Sequence, residues 1–389
     1  MSKERFVCPS CVDDYAVQEF IRCNAEEHLC SYCGTETDAD NDPIAAPFKE
    51  VADFIREGIE REYEAPENSV SWDTGEGGWQ GVEPMDARDL MDEVGLESSN
   101  QGFLDDLCDQ LNDQEWVHQD PYGLPEDEAM QYSWERFSNQ VKHQTRFVFF
   151  KVQTNTSEFD SEPNAILEQI GRIASHKLNL IGTIPIGTRF VRAREHSAAE
   201  NPVTAKDLGS PPKELASQSR MSPAGVPMFY ATGDEATAFA ETFTTNPEKS
   251  SVTFAIFQAL RELRLLDLTD IPAVPSIFDE EAATVRSALG FIKSFELDVT
   301  APIPNDHSVH YLYVPTQVVA EYFRHVFTLP DESKLDGIVF NSSRRPGGKC
   351  YTLFADTNQC TDSLSDTSKL LALVSSRKTR IDFTNGTFS

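Results

Sequence analysis

Apolar residues recur at helical spacing through the first third of the chain. Three sets fall at intervals of three and four residues, which places each set on one face of a helix. They are Phe48, Val51, Ala52, Ile55 and Ile59, then Phe103, Leu104, Leu107, Cys108 and Leu111, and finally Met130, Trp134, Phe137 and Val141. The pattern therefore predicts a helical domain over residues 38–150.

The pattern changes near residue 146 to a mixture of short apolar runs and amphipathic segments. Runs typical of strands cover residues 146–152, 188–194, 226–230, 252–258, 265–268, 337–340 and 350–354. Helical spacing returns at residues 165–180, 279–295 and 318–326. Strands interspersed with helices predict an α+β domain over residues 151–389.

The stretch at residues 220–241 is the centre of this second domain. A Pro-Ala-Gly turn at residues 223–225 leads into the predicted strand. Thr232 and Glu235 have the spacing of a capping box, so we expect Thr232 to begin a helix. The helix face would consist of Ala236, Phe239, Ala240 and Phe243. Glu241 lies at the edge of that face, where a carboxylate is expected to be half-buried and well oriented.

Acidic residues greatly outnumber basic ones. The 389 residues include 33 Lys+Arg and 64 Asp+Glu, which gives a formal net charge of −31. Such a chain does not attract nucleic acid or anionic membranes through its overall field, although a local basic patch remains possible. No apolar run has transmembrane length, and residues 1–11 lack the apolar core of a signal peptide. We therefore expect a cytoplasmic protein without membrane contact and do not expect nucleic acid as a partner.

The cysteine pattern indicates a metal site near the start of the chain. Eight cysteines in a long chain without a signal peptide are typical of thiols or metal ligands rather than disulfides. Two CxxC knuckles, with eighteen residues between them, have the spacing of a zinc ribbon at residues 1–37. The four predicted ligands are Cys8, Cys11, Cys30 and Cys33. Four thiolates leave no open position on Zn²⁺, so its role would be structural. The alternatives are four free thiols, or one ligand replaced by Cys23 or His28.

A glycine-rich segment at residues 73–81 is interpreted as a turn. It fits neither the dinucleotide-binding pattern nor the Walker pattern, and no predicted strand leads into it. We therefore do not expect it to bind phosphate.

Five residues of the second domain could act together on one substrate. They are Arg192, Arg220, Tyr230, Glu241 and Ser342. Arginines recognise phosphates through a planar fork of donors, and a tyrosine can stack on a planar base. A carboxylate holds sugar hydroxyls and stabilises a nearby positive charge. Each residue alone also fits an ordinary structural role, but together they suit an anionic substrate that contains a sugar.

The order of these motifs resembles the RES family. The matching segments are Phe190-Val-Arg-Ala-Arg194, Pro211-Pro212, Ser219-Arg220, Pro227-Met-Phe-Tyr230, Glu241, Pro315-Thr-Gln317 and Gly337-Ile-Val-Phe-Asn-Ser342. Each segment is weak evidence alone, whereas the ordered set is specific, and it covers about residues 155–360. Two positions differ from the usual pattern: Ser219 replaces the glycine often found before the arginine, and Phe340 replaces a tyrosine.

The resemblance implies an ADP-ribosyltransferase-like domain with a split β-sheet core that consumes NAD⁺. Cleavage of the nicotinamide–ribose bond releases a neutral leaving group and leaves positive charge on the ribose, much as in glycoside hydrolysis. By position, Glu241 would be the negative group and Arg192 would hold the pyrophosphate. Tyr230 would line the nicotinamide or ribose pocket, and Ser342 would orient either group. Arg220 is a second candidate for the phosphate side.

Residues 5–150 resemble the HEPN-type N-terminal domain that often precedes RES domains. This resemblance rests on the two cysteine knuckles, the helices, and the residues around Trp134 and Arg146. HEPN ribonucleases use an Arg-x(4–6)-His pair, which Arg136 and His143 fit at the margin of that spacing. The alternative is that both are ordinary surface or core residues, and the acidic surroundings disfavour RNA as a substrate.

The sequence leaves several functions open. The leading hypothesis is a bacterial toxin or phage-defence effector that degrades NAD⁺ with water or inorganic phosphate as the acceptor. A second is ADP-ribosyl transfer to a macromolecule, and a third is an interaction module with a silent RES domain. The N-terminal domain could bind an antitoxin or regulator, associate with itself, or restrain the enzyme.

Overall fold

A computed structural model of the chain describes residues 4–75, 77–151, 163–302, 308–384 and 386–388. The chain folds into two compact units, Met1–Ala129 with Ala273–Ser287, and Met130–Pro272 with Ala288–Ser389. The predicted α+β class is confirmed, since helices accompany a large mixed sheet. The predicted domain boundaries after residues 37 and 150 stay predictions.

The first unit is built from helices and two-stranded ribbons. Its helices are α1 (Tyr15–Cys23), α2 (Phe48–Ile59), α3 (Ala87–Glu93) and α4 (Gln101–Leu111). Its strands are β1 (Phe6–Val7), β2 (Ala46–Pro47), β3 (Tyr63–Glu64), β4 (Trp72–Asp73), β5 (Gly78–Trp79) and β6 (Val117–His118), paired as β1–β2, β3–β6 and β4–β5. The β4–β5 hairpin contains most of the glycine-rich segment, and Gly77 has the positive φ of a tight turn.

The predicted helix faces of the first unit form its core. Val51, Ile55 and Ile59 of α2 and Phe103 and Leu107 of α4 are fully buried. Burial of these side chains supplies the main stabilisation of the unit, at about 1.5–3 kcal/mol for each large apolar group.

The second unit contains most of α5 (Glu126–His143) and α9 (Ala283–Thr300). Its other helices are α6 (Pro163–Arg172), α7 (Ala205–Leu208), α8 (Glu235–Thr242), α10 (Val309–Leu312) and α11 (Val314–Glu321), and π-helical turns at Ile173–Lys177 and Tyr322–Val326 follow α6 and α11. Its strands are β7 (Ile181–Ile184), β8 (Arg189–His196), β9 (Phe229–Thr232), β10 (Ser251–Ala259), β11 (Leu263–Asp267), β12 (Gly337–Asn341), β13 (Lys349–Leu353), β14 (Cys360–Thr361), β15 (Leu371–Asp382) and β16 (Thr387–Phe388).

These ten strands form one mixed sheet in the order β14–β15–β10–β8–β9–β13–β12–β11–β7, with β16 beside β15. The β11–β12 and β14–β15 pairs are parallel and the others are antiparallel. Strands β8 and β9 are joined by a single residue pair in the described structure, Val191 with Thr232. The sheet is therefore only narrowly connected at this point.

The two faces of the sheet have different surroundings. Phe190, Phe229 and Phe257 lie on one face in a common apolar cluster, whereas Tyr230 and Cys350 lie on the other, where α6, α9 and α11 pack. Successive side chains of a strand alternate between faces, so the position of a residue along β8 or β9 decides which environment it enters.

The structure corrects two predicted elements. Residues 146–152 were expected to form a strand, but residues 146–148 have no regular structure, Phe149–Lys151 is a 3-10 turn, and residue 152 lies outside the described residues. The apolar run instead supplies Phe149, whose ring packs edge-on against Phe137 at 5.6 Å.

The predicted capping box at Thr232 is also wrong. Helix α8 begins after Asp234, whose carboxylate accepts a hydrogen bond from the Thr237 amide at 2.9 Å. Thr232 remains in β9, because strand pairing continues through it. In the helix that starts after Asp234, the buried residues are Thr237, Ala238 and Phe239, whereas Ala236 of the predicted apolar face is exposed.

Candidate active site

A half-buried hydrogen bond joins two of the predicted site residues. Glu241 lies in the last turn of α8, and Ser342 directly follows β12. The Ser342 hydroxyl donates to Oε1 of Glu241 at 2.5 Å. The backbone amides of Arg344 and Arg345 donate to the same Ser342 oxygen at 3.2 and 3.0 Å. Because those amides occupy its acceptor side, the hydroxyl proton points towards the carboxylate.

A cysteine that the sequence analysis did not single out completes this cluster. Cys350 of β13 lies with its sulfur 3.5 Å from Oε1 of Glu241. Burial raises the pKa of Cys350 to about 12, and the negative charge of Glu241 acts in the same direction. The thiol is therefore neutral at physiological pH. The only sequence signal was an apolar strand position, which is equally typical of a core residue.

Tyr230 lies near the cluster on the same face of the sheet. Its hydroxyl is hydrogen-bonded to the hydroxyls of Ser219 and Ser222, the latter at 2.9 Å. Burial raises the pKa of Tyr230, so the phenol stays protonated. The two serines belong to a turn in which their backbones pair with each other. This turn fixes the tyrosine ring and also contains Arg220.

Arg220 is held at the end of α9. Its Nη1 and Nη2 donate to the carbonyls of Val299 and Ala301 at 2.6 and 2.7 Å, and its guanidinium lies 5.6 Å from the centroid of the Tyr313 ring. Burial lowers the pKa of Arg220, and the nearby Glu241 carboxylate opposes that change. Arg220 therefore places a positive charge within electrostatic reach of Glu241.

The start of α11 anchors the turn that bears Arg220. The Gln317 side chain donates to the carbonyls of Ser219 and Ser222 at 2.8 and 3.2 Å, and the Thr316 hydroxyl donates to the Arg220 carbonyl at 2.5 Å. In the sequence, these two residues stood out only as part of the Pro315-Thr-Gln317 motif. The structure assigns them a positioning role.

Arg192 lies on the opposite face of the sheet. Its guanidinium rests 5.5 Å from the centroid of the Phe229 ring, and Nη1 donates to the Tyr230 backbone carbonyl at 2.7 Å. Burial lowers the pKa of Arg192. The structure thus joins Glu241 and Ser342 by a hydrogen bond, with Arg220 in electrostatic reach. Tyr230 lies on the same face of the sheet, whereas the Arg192 side chain lies on the opposite face and contacts the backbone carbonyl of Tyr230.

Comparison with protein families confirms the two family resemblances. The RES domain family matches residues 189–372, and HEPN/RES N-terminal domain 1 matches residues 23–155. This is a RES-domain protein with an HEPN/RES-type N-terminal domain. No curated protein and no solved structure matches the chain. The RES domain is consistent with an NAD⁺-related toxin or effector and suggests an NAD⁺-utilising enzyme in general.

Ahead of the RES domain, four cysteines form a cluster suited to a metal ion. Cys8, Cys11, Cys30 and Cys33 have their sulfurs within 4.8 Å of one another. Sulfur–sulfur distances of 3.5, 3.7 and 3.9 Å match a tetrahedral site, since zinc bonds of about 2.3 Å place sulfurs about 3.8 Å apart. Cys23 is exposed on α1 and does not belong to the cluster.

The HEPN-type pair lies on α5. Arg136 sits 5.9 Å from the centroid of the Tyr132 ring, and the His143 ring lies 5.3 Å from that of Tyr311. The two side chains thus contact different tyrosines. Apolar residues of α5, including Trp134 and Phe137, are buried in the core of the second unit.

Within the described residues, no helix is both long and apolar enough to cross a membrane.

Proposed function

We propose that the RES domain cleaves the bond between nicotinamide and ribose in NAD⁺, as a glycohydrolase that uses water or a phosphorylase that uses inorganic phosphate. The observation that carries this proposal is the Glu241 carboxylate, held by Ser342 with Arg220 in electrostatic reach, inside a RES-family match. This arrangement combines a fixed negative group with a cation for an anionic substrate.

The reaction needs little proton transfer from the protein. Nicotinamide leaves as a neutral molecule, so the leaving group requires no acid, and positive charge develops on the ribose. A carboxylate that is already oriented stabilises this charge without reorganising in the transition state. Glu241 would supply that carboxylate, and Ser342 would keep it in place. Tyr230 would lie against the nicotinamide or ribose.

The phosphate side of the substrate would depend on the arginines. The negative charge of Glu241 acts on the pKa of Arg220, and the Arg220 fork has donors beyond the two that bind Val299 and Ala301. Arg192 remains a proposed pyrophosphate ligand, with an added function as the support of β9.

We propose that the large sheet is the split sheet of an ADP-ribosyltransferase-like fold. The single pair between β8 and β9 supports this view, because it marks a narrow junction within a continuous sheet. Arg192 of β8 and Tyr230 of β9 flank that junction. A substrate in the junction would meet both residues, although their side chains lie on opposite faces.

The experiment is NAD⁺ turnover by the purified full-length protein, with and without inorganic phosphate. Wild type is compared with Glu241→Gln and with Glu248→Gln, an exposed glutamate that follows α8. We expect loss of NAD⁺ with wild type and Glu248→Gln, and at least a 100-fold lower rate with Glu241→Gln, on the scale of a lost electrostatic stabiliser. Release of ADP-ribose would identify a hydrolase, and a phosphorylated product a phosphorylase. Equal rates for all three proteins would overturn the proposal.

We further propose that the protein acts as a toxin or phage-defence effector, and that Zn²⁺ occupies the four-cysteine cluster in a structural role. An antitoxin, a regulator or a second copy of the chain would act through the N-terminal domain. Expression in a bacterial host is expected to deplete NAD⁺ and slow growth with wild type, but not with Glu241→Gln. Normal growth while NAD⁺ falls would contradict the toxin proposal and would leave the proposed NAD⁺ cleavage standing.

A further inference from the structure

Two donors from neighbouring strands converge on one oxygen of Glu241. Ser342 follows β12 and donates to Oε1 at 2.5 Å, and Cys350 of β13 places its sulfur 3.5 Å from the same atom. The carboxylate itself comes from α8. In the described structure, Oε2 accepts no hydrogen bond. The two carboxylate oxygens are therefore in different situations, one held by the protein and the other available.

The thiol must be the donor in this contact. A carboxylate has only acceptor oxygens, so a bond between Cys350 and Glu241 requires the sulfur to keep its proton. The site favours that state, since Cys350 is 8% exposed and lies beside a negative charge. A buried neutral thiol is also a poor nucleophile, which argues against a covalent role.

The strand register fixes the face of the sheet on which the Cys350 side chain lies. Cys350 is paired with Phe340 of β12 on one side and with Thr232 of β9 on the other. Since directly opposed residues share a face, its side chain is confined between these two neighbours. The register therefore places the thiol on the face of the sheet where Glu241 lies, 3.5 Å from Oε1.

We infer that Cys350 is a positioning residue, which with Ser342 holds Oε1 of Glu241 so that Oε2 faces the substrate ribose. This inference rests on the proposed NAD⁺ cleavage. It assigns the thiol to orientation of the carboxylate, so removal of the donor should lower kcat and leave KM for NAD⁺ nearly unchanged. A residue that only filled space would be replaceable by any side chain of the same volume.

The test compares Cys350→Val, which removes the donor and adds about one methyl group, with Cys350→Ser, which keeps a donor. Cys108→Val, at a buried cysteine of the first unit, is the control for loss of a buried thiol. We expect kcat to fall roughly 5- to 10-fold in Cys350→Val with KM within about twofold, since a hydrogen bond of this kind contributes on that scale. Cys350→Ser should recover most of kcat, and Cys108→Val should match wild type.

The outcomes separate this inference from the proposed function. Turnover that depends on Glu241 but is unchanged in Cys350→Val overturns the role of Cys350 and leaves the function standing. Equal loss in the valine and serine variants also overturns it, because the donor would not matter. A wild type without turnover overturns the function. A crystal structure of Cys350→Val then still tests whether Cys350 orients Glu241. We expect more than one orientation of the Glu241 carboxylate in this variant. A single orientation, unchanged from wild type, would contradict the inference.

Discussion

Ser342 donates a hydrogen bond of 2.5 Å to Glu241, although the two residues are 101 positions apart in the chain. The serine is itself fixed by the amides of Arg344 and Arg345, which begin the turn between β12 and β13. The orientation of the carboxylate on α8 is therefore set by a turn of the central sheet. A change in that turn should affect catalysis without any direct contact to the substrate.

Substitution Ser342→Ala is expected to lower kcat for NAD⁺ cleavage by roughly 10- to 100-fold, because Glu241 loses its shortest hydrogen bond. The matched control is Ser343→Ala, at the adjacent and exposed serine. Steady-state kinetics would show the difference, and thermal unfolding would exclude loss of the fold. Equal rates for the two variants would contradict the assigned role of Ser342.

Substitution Arg220→Lys is expected to raise KM for NAD⁺ and to destabilise the protein by ~1–3 kcal/mol. A lysine has no planar fork, so it cannot donate to the Val299 and Ala301 carbonyls in the same geometry. Urea unfolding and the KM measurement check the two effects. The control Arg264→Lys alters an exposed ion pair with Asp331 and should change stability by less than ~1 kcal/mol. A normal KM in Arg220→Lys would remove Arg220 from the substrate site.

Much of the fold and part of the site could be predicted from the sequence. Helices α2 and α4 followed from their apolar faces, because burial of one face is what stabilises a surface helix. The ordered family motifs pointed to Glu241 and Ser342, and the structure joins these two residues by a hydrogen bond. Neither the apolar pattern nor the family motifs could show which face of the sheet Arg192 occupies, since this depends on the register of β8 with its neighbours.

Other features depend on contacts that a sequence does not encode locally. Asp234 and Thr232 can both cap a helix, and only the extent of β9 decides between them. In the sequence, Cys350 has the pattern of a core residue, and only the folded structure shows that Glu241 of α8 lies beside it. The apolar run that contains Phe149 has strand-forming residues, yet Phe137 of α5 provides a different partner for it.

Substitution Trp134→Ala is expected to destabilise the protein by ~3–5 kcal/mol, because this α5 residue is 2% exposed, packs against Phe295 at 5.0 Å and donates to Asp298 at 2.9 Å. Trp134→Phe keeps most of the volume and should lose less. A truncation near residue 155 would remove α5 and expose the same core. Denaturant unfolding measures the effect, and a truncated chain as stable as the full-length protein would contradict it.

Substitution Cys11→Ser is expected to abolish binding of one equivalent of zinc, since Cys11 is a buried member of the four-cysteine cluster. Cys23→Ser, outside the cluster, should keep the metal. Metal content of the purified proteins measures this directly. Because structural zinc sites contribute folding free energy, a strong chelator should lower the melting temperature of wild type. Zinc retained in Cys11→Ser would show that the cluster is not the site.

Substitution Arg192→Met tests the two functions assigned to this residue. Loss of the bond to the Tyr230 carbonyl leaves a buried acceptor unpaired, so we expect a destabilisation of ~1–3 kcal/mol. Loss of the guanidinium should also raise KM for NAD⁺ about tenfold if the pyrophosphate reaches the junction between β8 and β9. Arg189→Met, exposed on the same strand, is the control and should change neither quantity. Reduced stability with a normal KM would restrict Arg192 to supporting β9, whereas an altered KM with full stability would make it a ligand alone.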